Sequence, residues 1–274
     1  MTDLMRPKRQ PSRHERAAKP RPSKQRKEPS LGSVDSKYIA TKRKRKRNRK
    51  SGLLKRILFR FIMLLLLLSL LPMIALRYFD PPTSAFIELN KLNHNTNIQH
   101  TWIDFDEVSL YFPNAIIASE DQEFPNHYGL DLKQIRSALK ESKGQPRGAS
   151  TITQQTVKNL FLWPDRSYLR KGIEVWLAVC MDLVIPKKRI LELYMNFAQF
   201  GRSVFGVGAA SQYYFEIPAS ELTPKQSALL AASLPTPSRS NPAEPSDYLA
   251  DRAAFILDQM PRIGGRRIVR ELDN

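Results

Sequence analysis

Residues 61–76 read FIMLLLLLSLLPMIAL, a run with no charged side chain. Ile57, Leu58 and Phe59 extend it to 20 positions, with Arg60 as the only charge. At about 1.5 Å rise per residue, 20 helical residues cover about 30 Å, the thickness of the hydrocarbon layer. The run is apolar all round rather than on one face, which counts against a helix of a soluble core. It is longer than the apolar stretch of a cleaved signal, its preceding segment is too long for one, and no small-residue cleavage site follows. The reading is one uncleaved transmembrane helix over 57–76. Arg60 lies near one end, where its stem can reach the headgroups, and Pro72 near the other kinks a span without breaking it.

Charge is distributed around this segment very unevenly. The chain of 274 residues has a net charge of +18, but residues 1–56 hold 21 Lys or Arg against 4 Asp or Glu. The other 218 residues carry 23 basic and 22 acidic groups, so the basicity belongs to a tail. That excludes a globular nucleic-acid-binding fold as the source of the charge, and no specific nucleic-acid partner is expected. The tail is rich in Lys, Arg, Pro and Ser and has too few aliphatic residues to offset its ordering entropy, so residues 1–56 are expected to be disordered. Its densest part, Lys42 to Lys50, reads as a nucleic-acid patch, a surface for anionic headgroups, or a topology signal. The adjoining span favours the last, which places the tail in the cytoplasm and residues 77–274 outside. The single cysteine, Cys180, excludes an intramolecular disulfide and a Cys-based zinc site, and His14, His94, His100 and His127 lack metal-ligand spacing.

Residues 77–110 read as a juxtamembrane linker with a loop signal at Asp80-Pro81-Pro82 and scattered apolar residues that suit short strands or a membrane-facing surface. From residue 111 to 274 the pattern is helical. Pro113 suits a first helical turn, Asp131 is an N-cap candidate with Gln134 three residues on, Ser150 precedes another helix, and Pro186 a further one. Thr223-Pro224-Lys225-Gln226 combines a cap, a first-turn proline and a capping glutamine.

Four clusters carry chemistry. In Ser119 to Asp131, Glu120 and Asp121 follow the apolar stretch Ala115 to Ala118, so a carboxylate there can be desolvated and tuned toward general-base use; a solvated acidic turn is the plainer alternative. In Gly148 to Leu162, helical spacing puts Thr151, Gln155 and Lys158 on one face, a stripe suited to oxygen-rich ligands, or simply a wet helix face. In Arg166 to Cys180, Arg170, Lys171 and Glu174 sit at helical spacing, either as a surface ion-pair cluster or as the wall of a site for a charged leaving group. Cys180 reads as an inert core thiol. Ile190 to Phe215 reads as scaffold, since its glycines lack a following G-K-[S/T].

Together these clusters resemble glycosyltransferase family 51, the peptidoglycan glycosyltransferases. E-D-x-x-F-x-x-H-x-G-x-D is complete at Glu120, Asp121, Phe124, His127, Gly129 and Asp131, and G-x-S-T-I-x-Q-Q-x-x-K-N from Gly148 to Asn159. R-K-x-x-E stands at Arg170, Lys171 and Glu174; I-L-x-x-Y-x-N and F-G at Ile190 to Asn196 and Phe200-Gly201; A-L-L-A-x-x-L-P-x-P-S from Ala228 to Ser238. The chain ends soon after, and Ser137 to Lys140, an S-x-x-K without a K-T-G, reads as chance, so the resemblance is to the monofunctional biosynthetic transglycosylase branch.

That resemblance implies a mostly α, lysozyme-like domain behind a single N-terminal membrane helix, in a bacterial inner membrane with the catalytic domain periplasmic or extracytoplasmic. The implied reaction polymerises lipid II into glycan strands by inverting transfer, releasing polyprenyl pyrophosphate. Glu120 is implied as general base and Glu174 as the second catalytic carboxylate, orienting cations or helping to hold a metal. Lys158, Arg170 and Lys171 are implied to meet the pyrophosphate. Asp121, Phe124 and His127 would shape the first loop, and Thr151, Gln155 and Asn159 would contact substrate or support their helix. No cofactor is required, although a divalent Mg or Mn is compatible with the pyrophosphate. Implied partners are lipid II, the growing strand, membrane lipids and other cell-wall synthesis or division proteins. The chain departs from the family at Thr156, Met195 and Glu216-Ile217, none of them an implied catalytic position. Two rival readings are a membrane-bound lytic hydrolase, which needs no cationic wall, and a non-enzymatic envelope scaffold, in which Glu120 is dispensable.

Because the basic tail adds no chemistry to these motifs, deletion of residues 1–50 is expected to leave turnover on a soluble assay within about twofold; a large loss would assign the tail a catalytic or assembly role.

Overall fold

The computed structural model describes residues 31–94, 97–141, 150–165 and 167–273. It divides into two compact units, residues up to Arg60 and Phe61 to the C-terminus. Eleven α-helices are present among the described residues: α1 Leu31–Tyr78, α2 Ala85–His94, α3 Tyr111–Glu120, α4 Leu132–Glu141, α5 Ile152–Phe161, α6 Tyr168–Val184, α7 Lys187–Phe197, α8 Val207–Phe215, α9 Pro224–Ser233, α10 Asp247–Arg262 and α11 Arg266–Arg270. The only sheet among these residues pairs β1 (Gln99–His100) with β2 (Val204–Phe205) in parallel, Gln99 opposite Val204. The domain is therefore mostly α, consistent with the lysozyme-like helical architecture expected.

α1 contains the apolar segment, and Gly52–Tyr78 is long and apolar enough to cross a membrane, with mean hydropathy 2.6. Large apolar side chains from Leu53 to Leu71 are exposed around this stretch, as lipid-facing groups would be. The helix begins at Leu31, earlier than expected: residues 31–56, assigned to a disordered tail on composition, have helical backbone. Lys and Arg are good helix formers, and a helix already nucleated by the apolar run extends into them at little cost. Residues 1–30 of that tail lie outside the described residues.

The last turn of α1 belongs to the domain. Met73 and Leu76 are buried in its core. Arg77 Nη1 donates to the Val184 carbonyl at 2.7 Å. Arg189, on α7, donates through Nε to the Leu76 carbonyl and through Nη2 to that of Phe79. Its guanidinium also pairs with Asp80 and Glu192. The terminal carbonyls of a helix lack partners of their own, and here a forked cation supplies them.

The linker expected over 77–110 is replaced by structure: α2 and a short 3₁₀ turn at Phe105–Glu107. Side chains do for this segment what a sheet would otherwise do. Asn196 Oδ1 accepts from the Ile103 amide and Nδ2 donates to the Ile103 carbonyl, both at 2.9 Å, while Glu192 accepts from the Phe105 amide. Gly206, at φ +80°, lies so close to the Asn196 carbonyl that a Cβ would approach it to 2.6 Å.

Around the core, α3 packs on α9 and α10, and α5 on α6 and α7. Several caps fall where the sequence puts them: Asp131 accepts from the Gln134 amide, Pro186 precedes α7, and Thr223 with Gln226 forms a full capping box. Two differ by a residue or two. Thr151, not Ser150, caps α5, and α3 starts at Tyr111, ahead of Pro113.

Arg189→Met leaves two carboxylates and the helix-end carbonyls without their donor. It is expected to destabilise the detergent-solubilised protein by about 2 kcal/mol in calorimetry, with Arg189→Lys recovering only part because it lacks the fork.

Candidate active site

Glu120 ends α3, where the apolar face of that helix, Ala115 to Ala118, is fully buried. Its side chain is 14 % exposed. Gln155 Nε2 donates to Glu120 Oε2 at 2.8 Å, and Tyr194 Oη donates in turn to Gln155 Oε1 at 3.3 Å. This fixes the amide orientation: the oxygen faces a hydroxyl, so the nitrogen faces the carboxylate. Arg252, on α10, approaches Glu120 Oε1 at 4.0 Å. Burial raises the Glu120 carboxyl above its ordinary range, and the Gln155 hydrogen bond and the charges of Arg252 and Lys158 offset only part of that shift. Burial also pushes the Tyr194 hydroxyl well above its usual value, so it remains a donor.

Asp121, the next residue, has a different task. Its carboxylate accepts from His127 Nε2 at 2.9 and 3.0 Å and from the Ile152 amide at 3.0 Å. It thus ties the loop after α3 to the first turn of α5. Thr151 Oγ1 donates to the Gly129 carbonyl at 2.7 Å and accepts from the Gln154 amide, whose side chain completes the capping box. Gly129 has φ +74°, and a Cβ there would meet the Ala178 carbonyl at 2.6 Å. Asp182 Oδ2 accepts from the Gly129 amide, Thr153 and Lys187, and Lys187 Nζ also donates to the His127 carbonyl.

The cations lie on α5 and α6. Glu174 is buried, its side chain 3 % exposed, with Arg170 on Oε2 at 2.7 Å and Lys171 on Oε1. Arg170 Nε donates to the Asp165 carbonyl, and Lys171 Nζ to Ser150 Oγ. Burial lowers the pKa of Lys158; Glu174 and Glu120 pull it back up, while Arg170 and Lys171 lower it further. Its ammonium sits 5.5 Å from the Phe86 ring centroid. Arg170 and Lys171 thus share the Glu174 carboxylate, while Lys158 feels both Glu174 and Glu120.

Of the residues singled out from sequence, Glu120, Gln155 and Lys158 come together at one cleft, with Arg170, Lys171 and Glu174 close enough for their charges to act on Lys158. The others take supporting places. Thr151 is a buried cap rather than the first member of an exposed stripe, because the helix starts one residue after it. Phe124 is fully buried against His127, and Asn159 donates to the Phe197 carbonyl from a buried position. Glu174 serves as counter-ion that orients two cations. Both its oxygens are taken by cations, and among the described residues no group of three or more His, Cys, Asp or Glu converges.

Sequence reasoning missed Arg252, Tyr194, Asp182 and Lys187 as parts of the site. Arg252 is remote in the chain and marked by no spacing. Asp182 had a signal, a carboxylate flanked by Met181, Leu183 and Val184 on a helix otherwise apolar there.

Residues 88–261 match the transglycosylase family. The chain belongs to that family. A biosynthetic peptidoglycan transglycosylase of Marinomonas sp. (strain MWYL1) is 44% identical over 221 residues, which cover 79% of this chain and 95% of the relative. Proteins of that name from Klebsiella oxytoca and Escherichia coli O127:H6 (strain E2348/69 / EPEC) are 51% identical over 172 residues and 49% over 173. Each match covers 62% of this chain, and 71% and 72% of the relatives. The family match begins inside α2, so this transglycosylase domain includes part of what reads from sequence as linker. The chain is thus a glycosyltransferase with one candidate transmembrane helix, which fits a single-pass inner-membrane protein.

Because the Glu120 pKa is raised on folding, the folded protein holds a proton at pH values where the unfolded chain has released it. Stability contributed by this site therefore falls as pH rises above the unfolded value. Glu120→Gln removes that cost. Its Tm is expected to exceed the parent's at about pH 7, with the gap closing toward about pH 4, where the unfolded carboxylate also protonates.

Proposed function

We propose that this transglycosylase polymerises peptidoglycan glycan strands from lipid II, with Glu120 as general base and the Lys158, Arg170 and Lys171 wall receiving the pyrophosphate. The observation that carries the reading is the desolvated carboxylate held by Gln155 beside that wall. The acceptor's 4-hydroxyl gives its proton to Glu120 as its oxygen attacks the donor's anomeric carbon. The bond from that carbon to the pyrophosphate oxygen breaks, and polyprenyl pyrophosphate leaves from the opposite face, inverting the centre. A carboxyl with raised pKa is a stronger base than an ordinary one, and Gln155 and Tyr194 hold it in place before substrate arrives. Charge developing on the leaving oxygen meets fixed cations whose own counter-ion, Glu174, keeps them oriented.

The membrane helix gives the chemistry its geometry. The tail of lipid II stays in the bilayer, so tethering enzyme and substrate to one surface raises their effective concentration. The polybasic run before the span supports a cytoplasmic N-terminus and an extracytoplasmic catalytic domain. Catalysis is assigned to side chains alone; any Mg or Mn would arrive with the pyrophosphate. A lytic hydrolase gains nothing from three clustered cations, and a scaffold has no use for a desolvated, pre-oriented carboxylate.

Glu120→Gln is expected to lower kcat for lipid II polymerisation about 10²- to 10⁴-fold while circular dichroism stays unchanged. Normal elongation by this variant would remove Glu120 from the base role.

A further inference from the structure

A concavity of about 430 Å³ opens beside Phe86, whose ring also meets the Lys158 ammonium. Phe86, Leu89 and Asn93 of α2 line it, with Gln199 and Arg202 from the loop after α7 and Ser238 from the segment after α9. Phe86 is shared between the two sites, since its ring also carries the Lys158 ammonium. The concavity therefore begins where the cations assigned to the pyrophosphate end. Its loop is fixed from within. Gln199 Nε2 donates to the carbonyls of Gly201 and Arg202, and the Phe200 and Gly201 amides both reach the Val204 carbonyl. Arg202 is exposed, and its guanidinium has no ion pair or hydrogen bond among the described residues. A cation on a fixed loop, side-chain amides and a hydroxyl around it, and an apolar floor from Phe86 and Leu89 suit an anionic ligand rich in hydrogen-bonding groups.

We propose that this concavity receives the stem peptide of the donor, with Arg202 pairing a peptide carboxylate. The proposal rests on the lipid II reading. In lipid II the sugar joined to the pyrophosphate is also the sugar that carries the peptide. A peptide leaving that sugar therefore emerges beside whatever cations hold the pyrophosphate. Phe86, touching Lys158 on one side and lining the concavity on the other, marks that point of emergence. Guanidinium geometry matches a carboxylate through paired N–H donors, and the surrounding amides suit peptide N–H and C=O groups.

The test uses the full chain in detergent and two substrates, lipid II and lipid II with its stem-peptide carboxylates amidated, each followed by initial rate or as a competitor. Arg202→Glu is expected to raise KM for lipid II about tenfold with kcat within about twofold, and Arg202→Lys to recover most of the loss. On the amidated substrate, parent and Arg202→Glu should have the same KM or inhibition constant. An equal rise on both substrates overturns the proposal and assigns Arg202 to phosphate or anionic lipid instead. An unchanged KM for lipid II overturns it as well. If the unmodified protein polymerises neither substrate, the lipid II reading itself fails, an outcome separable from the other two.

Discussion

The candidate site depends on one buried carboxylate that bridges two elements. Asp121 accepts at once from an imidazole six residues along its own loop and from the first amide of α5. Each bond alone is modest, but together they join two elements that no sheet connects. Removing Asp121 would orphan a buried amide and a buried imidazole, which costs more than the bonds contribute. Because Glu120 is the preceding residue, its direction is set by this clamp from below and by Gln155 from above. α5 therefore supplies both the amide that fastens the loop and the Gln155 side chain that holds Glu120.

Burial is used here in two opposite senses. Glu120 and Lys158 both lose solvation, which pushes the carboxyl up and the ammonium down. Their mutual attraction offsets part of each shift. Glu174 is different: with a cation on each oxygen it is a fixed part of the electrostatic landscape. The result is a surface whose cations are held in place before any ligand arrives, the kind of preorganised charge that stabilises developing negative charge.

Much of this was legible in the sequence, and the reasons differ by feature. The candidate span was legible because its apolar run, with Arg60 as the only charge, has the length a bilayer requires. The caps at Asp131 and Thr223 were legible because a short polar side chain followed by glutamine three residues on has few other uses. Glu120, Gln155 and Lys158 were legible as a set because their motifs recur in order. What escaped was tertiary. Arg252 reaches Glu120 only because α10 packs on α3. Thr151 looked like part of a wet stripe because helical spacing says nothing of where a helix starts. The stretch around Ile103 and Phe105 looked irregular because its backbone partners are side chains, Asn196 and Glu192, and no pattern in the segment itself records that.

Arg189 and Tyr194 are five residues apart on α7, one gripping the last carbonyls of the span and the other steadying the amide that holds the base. One helix, α7, thus ties the end of the candidate span to the amide that holds Glu120. The separation between the end of the candidate span and Glu120 is therefore set by the packing of a helix rather than by a flexible tether.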